Sequence, residues 1–137
     1  MALLDVFNIA GSAMSAQSVR MNVTASNLAN VDSSSGSAEE VYRARQPVFQ
    51  SMMGNFMSDM ESVGVKVSEI VESQAALSQK YQPEHPQADE QGYVYMTNVD
   101  PIQEMANMIS ASRAYQNNVE IVNTSKEMLL RTLSLGQ

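Results

Sequence analysis

The chain has 137 residues, 44% of them hydrophobic, and a formal net charge of −7. That is enough for one packed core and gives no electrostatic reason to bind nucleic acid or an anionic membrane. It has no cysteine, which excludes a disulfide framework and any cysteine-based metal or nucleophilic site.

No apolar run approaches the ~18 residues of a bilayer span. The amino terminus lacks the basic stretch, apolar core and small-residue cleavage site of a secretory signal, so neither a membrane anchor nor a cleaved leader is expected.

Taken in chain order, the first predicted element is a helix over about 3–31. Phe7, Met14, Met21 and Leu28 recur every seven residues, with Ala10, Thr24 and Val31 three positions further on. Gly11, Ser18 and Ala25 form an adjoining row of small residues that lets a neighbouring helix approach closely. Only Asp5 and Arg20 are charged, and Ser, Asn, Gln, Thr and Ala fill the other polar positions, including Asn27 and Asn30 near the end. Such a surface suits burial against other helices better than contact with water.

Residues 32–100 read as an acidic, β-rich middle segment, with eleven acids against four bases. A flexible linker is expected over 32–40, from Ser33, Ser34, Ser35, Gly36 and Ser37. Val41 to Phe49 is a candidate strand, and Val63, Val65 and Val67 alternate before Ile70 and Val71. Met52, Met53, Phe56, Met57 and Met60 have helical spacing interrupted by Gly54 and Asn55, leaving a short helix, an extra strand or an apolar flap open. Pro83 and Pro86 mark a loop, after which Tyr93 and Tyr95 alternate toward Val99 and complete a small antiparallel β unit.

The carboxyl-terminal region 101–137 is the better specified helix. Asp100 suits the N-cap, Pro101 the first helical position, and Gln103 lies three residues after the cap. Met105, Met108, Tyr115, Val119, Val122, Leu129 and Leu133 follow alternating steps of three and four, interrupted only by Ser112 and Lys126, and Gly136 stands past the expected end near 133. The expected fold is therefore mainly α with a small β insertion. Long terminal helices pair as a coiled coil, 1–31 with 101–137, across the β-rich middle. A two-helix unit of this length leaves lateral surface uncovered, which favours incorporation into a larger helical assembly.

Reactive chemistry is scarce. The single histidine, His85, stands near Glu84, Asp89 and Glu90, an acidic turn without the convergent ligand set of a transition-metal site. No catalytic context surrounds it and no Gly-rich phosphate loop occurs, so no enzyme activity, cofactor, metal or small-molecule substrate is expected. The eleven methionines fit core and subunit packing; an adaptor holding an amphipathic peptide in a Met-rich groove is the alternative.

The stretch Ala25-Ser26-Asn27-Leu28-Ala29-Asn30-Val31 resembles the amino-terminal signature of the flagellar basal-body rod and hook family. Residues 92–137 look like the proximal-rod branch of that family, and Tyr42-Arg43-Ala44-Arg45-Gln46 and Val65-Lys66-Val67 fit its middle segment. Where many relatives continue with a short Thr-Gly-Tyr turn, this chain has Asp32 and the serine run, so that turn geometry is not carried over. The resemblance implies a structural, non-enzymatic subunit of the rod that spans the periplasm and transmits motor torque for motility. It also implies export unfolded through the flagellar type III apparatus, and assembly with itself, with other rod proteins, and with rod-base and membrane-ring components. Phe7, Met14, Met21, Asn27, Leu28, Asn30, Val31, Met105, Met108, Tyr115, Val119, Val122, Leu129 and Leu133 are the residues expected in helix packing between subunits.

Overall fold

A computed structural model describes residues 2–52 and 64–135. Among the described residues, helix α1 (Ala2–Ala29) comes first and helix α2 (Pro101–Leu135) last, with five strands between them. Helix takes up 63 of the 123 described residues and strand 27, which is the mainly helical fold with a β insertion expected from the sequence.

Helix α2 starts as its cap residues dictate. The Asp100 carboxylate Oδ1 accepts from the backbone N–H of Ile102 at 2.9 Å and of Gln103 at 3.2 Å, and Pro101 occupies the first turn. Helix α1 ends two residues before Val31. The Asn30 amide donates back to the Ser26 carbonyl at 2.9 Å, and tight turns from Asn30 to Asn27 and from Val31 to Leu28 close the last carbonyls.

The two helices run antiparallel, since Arg20 meets Asn107 while Asn27, further along α1, meets Glu104, earlier in α2. The 28 residues of α1 span roughly 42 Å and the 35 of α2 roughly 52 Å, so the carboxyl end of α2 projects past its partner.

The middle segment forms two separate sheets instead of one β unit. Strand β1 (Ser34–Ser35), within the stretch read as a linker, pairs antiparallel with β5 (Tyr93–Met96), whose other edge carries β4 (Ser78–Tyr81). Alternation did not signal β4, because Ser78, Gln79, Lys80 and Tyr81 are all exposed and neither face selects apolar residues. Val94 is fully buried in this sheet, and Val41, Ala44, Thr97 and Val99 belong to the same buried set. Gly92, at φ 82°, turns the chain into β5 where a side chain would strike Tyr81 and Pro83.

The second sheet is a hairpin of β2 (Arg45–Met52) and β3 (Gly64–Glu72), whose pairing skips Ser68 at a bulge opposite Val48 and Phe49. The strand expected from Val41 begins only at Arg45, because the Ala44 N–H is taken by the Asn98 side chain at 2.8 Å. The methionine-rich stretch from Met53 to Met60 lies outside the described residues, as do Val63 and Gly136. The hairpin lies against α1, where Ser12 accepts from the Val65 N–H at 3.1 Å. Gly64 is required there, since a side chain would collide with Ser12 Oγ at 2.8 Å and with the end of Met52.

Candidate functional site

Helix α1 thus has two working faces. One carries Ser12, Val19, Val23 and Ser26 toward the hairpin, and the other carries Arg20, Thr24 and Asn27 toward α2. Both are held in register by a polar hub at the last turn of α1.

Asn27 is the centre of that hub and is 0% exposed. Its Nδ2 donates to the Arg45 carbonyl at 2.8 Å and to Glu104 Oε2 at 3.0 Å. Its Oδ1 accepts from the Arg45 N–H at 2.9 Å and from the Tyr42 hydroxyl at 2.8 Å. The side-chain amide therefore pairs with both backbone groups of Arg45 as a neighbouring strand residue would, and all four of its hydrogen-bonding positions are filled. Asn27 is engaged wholly within its own chain.

The network continues on either side. Glu104, only 6% exposed, presents Oε1 to the Asn107 amide at 3.5 Å, and Asn107 Oδ1 accepts from Arg20 at 3.2 Å. Tyr42 stands 3.3 Å from Ser26 Oγ and lies under the Arg45 guanidinium, 5.3 Å from its ring centroid. Asn98 makes a second bridge: it receives the Ala44 N–H and donates to the carbonyls of Ser73 and Ala75, joining the start of β2 to the segment leading into α2.

The residues expected in helix packing fall into two sets. Phe7, Met14, Met21, Leu28, Asn30 and Val31 are half-buried on or just beyond α1, and Met108, Tyr115, Val119, Val122 and Leu129 are half-buried on α2. Met105 and Leu133 face outward, the latter 69% exposed. The shielded row of α2 steps instead through Glu104, Met108, Ala111, Tyr115, Asn118, Val122, Ser125 and Leu129, alternating four and three. Sequence reasoning missed Glu104, Ala111 and Ser125, all buried, because on α2 it weighed only large apolar side chains. The seven-residue spacing of those three with Asn118 was the signal that could have found them.

The described exposed residues of α1 are uncharged, whereas α2 exposes Arg113, Glu120, Lys126, Glu127 and Arg131 beside several apolar side chains. On α1, Asn8, Ile9, Ser15, Asn22, Ala25 and Ala29 are exposed. On α2 the exposed apolar residues include Ile102, at 74%, Ile109 and Ile121. His85 sits in the 82–88 turn, where its Nδ1 accepts from the Gln87 N–H at 3.2 Å. Among the described residues no three His, Asp or Glu side chains converge to hold a metal ion, and no helix is long and apolar enough to cross a membrane.

Residues 7–36 match the family described as flagella basal body rod protein, and residues 90–135 match the carboxyl-terminal family described as flagellar basal body rod FlgEFG protein C-terminal. These matches cover most of α1 with β1, and β5 with α2. The chain is 55% identical over 137 residues to the flagellar basal-body rod protein FlgC of Escherichia coli O6:H1. It is 53% identical to that of Salmonella typhimurium and 52% identical to that of Yersinia enterocolitica, with all of both chains covered in each case. Full-length similarity to named rod proteins decides for the rod reading over a peptide adaptor.

Proposed function

The chain belongs to the flagellar basal-body rod protein FlgC family, and on that premise we propose that its helix pair forms an inner coiled-coil layer of the rod, surrounded by the acidic β-rich segment. It is a structural, non-enzymatic subunit of the proximal rod in the flagellar basal body, and it assembles with other flagellar rod proteins.

The observation that carries the proposal is the unfinished outer surface of the helix pair. Ile102, Met105 and Ile109 recur at steps of three and four on the side of α2 turned away from α1, and all are exposed. Small uncharged residues line the outside of α1. Neighbouring helices are the fitting cover for both, and many such side-by-side contacts share the shear of a rotating shaft. In this reading the further partners are rod-base and membrane-ring components, and the type III export apparatus that delivers the chain.

The test is a charge on the outside of the pair. A charge at half-buried Leu28 or Leu129 would disturb the subunit's own fold together with its assembly. Ile109→Asp leaves the subunit's helix content unchanged by circular dichroism and abolishes both rod incorporation and swimming. Normal motility of this variant would reject the helix-layer arrangement.

A further inference from the structure

Arg20 is the sole base of α1, is half-buried, and forms no ion pair among the described residues. Beyond its bond to Asn107, its guanidinium opens onto a groove of about 470 Å³ between α1, α2 and β2, lined also by Thr24, Arg45, Gln103, Glu104 and Asn107. Glu104 is the one carboxylate among these lining residues, and its two oxygens already face Asn27 and Asn107. Arg45 reaches Glu72 at 3.3 Å, in a pair whose side chains are about half exposed and therefore screened by water. The groove thus sets the Arg20 guanidinium beside a single carboxylate that is already engaged, while the Arg45 guanidinium is turned to Glu72. A partly desolvated guanidinium is best satisfied by a carboxylate approaching its fork of donors.

We propose that this groove receives a carboxylate side chain from the acidic middle segment of a second copy of this chain. Residues 32–100 hold eleven acids and four bases, and exposed Glu39, Glu69, Glu84 and Glu90 form no ion pair among the described residues. Charge complementarity thus selects the chain's own outer segment as occupant, and the inference rests on self-assembly in the rod.

The experiment uses assembled rods containing Arg20→Lys subunits, mixed as nitrogen-14 and nitrogen-15 copies, with a zero-length carbodiimide that joins an amine to a touching carboxylate. Peptides linked from position 20 to an Asp or Glu of 32–100, carrying both isotopes, are expected. Rods that assemble but give only a link to Glu104 of the same copy, a link to a different rod protein, or no link would overturn the groove contact. The helix-layer reading would survive that result.

A second measurement does not depend on the lysine variant. Arg20→Gln lowers incorporation into rods at least tenfold while helix content stays unchanged, and undiminished incorporation would overturn the proposal.

Discussion

Asn27 sits in the last turn of α1, where a helix ordinarily runs short of partners for its final groups. Here the side chain, fully enclosed, supplies partners to α2, to Tyr42 and to the backbone of Arg45. Asn27→Ala strands a buried carboxylate oxygen, a hydroxyl and a backbone N–H and C=O together, with an expected loss of about 3 kcal/mol on urea unfolding.

Asn27→Asp keeps the shape but sets a new carboxylate against Glu104. Repulsion and burial raise the folded-state pKa of the new acid above its unfolded value. Its destabilisation is therefore greatest at neutral pH and is relieved as pH falls through the carboxylate range, which unfolding at pH 7 and pH 5 distinguishes. The sequence shows Asn27 in a helical pattern but cannot show its partners, because the Arg45 backbone lies 18 residues away and Glu104 lies 77 away.

At the scale of elements, helix α2 was legible from its start. Asp100→Ala is expected to cost about 1 kcal/mol in thermal unfolding, the usual value of a lost N-cap. Which side of α2 faces its partner was less legible. Met105 and Leu133, expected in packing between subunits, are exposed in the single chain, and the row shielded within it is built partly of Glu104, Ala111 and Ser125. Small and hydrogen-bonded residues permit a closer approach than a run of leucines would. Ala111, fully buried, has no room for extension, so Ala111→Leu should destabilise the chain by about 2 kcal/mol, measurable by denaturant midpoint. The division of the middle segment into two sheets was hidden for another reason. Strand β1 is two serines and β4 is wholly exposed, so neither has an apolar face to announce it.

Over the whole molecule, charge and packing are segregated. The helix pair has balanced charge, and on α1 an exposed face without ions, whereas residues 32–100 hold the acidic excess. Hydrogen exchange should register the difference: backbone amides of α1 and α2 slow at least tenfold when dispersed subunits enter rods, with a smaller change in β4. Equal slowing throughout the chain would contradict a rod in which the helices form the shared layer.

The pairing of the Asn27 amide with both backbone groups of Arg45 has a mechanical consequence. Without it, a pull on the hairpin would reach the helices through its packing on α1 near Ser12 and along residues 28–44, a longer covalent route. The two hydrogen bonds short-circuit that route, and Glu104 extends the connection into α2. In the proposed arrangement, a tangential force on the β-rich segment then has a stiff transverse route into both helices, so the subunit acts under torsion as a braced strut instead of a weight on a string.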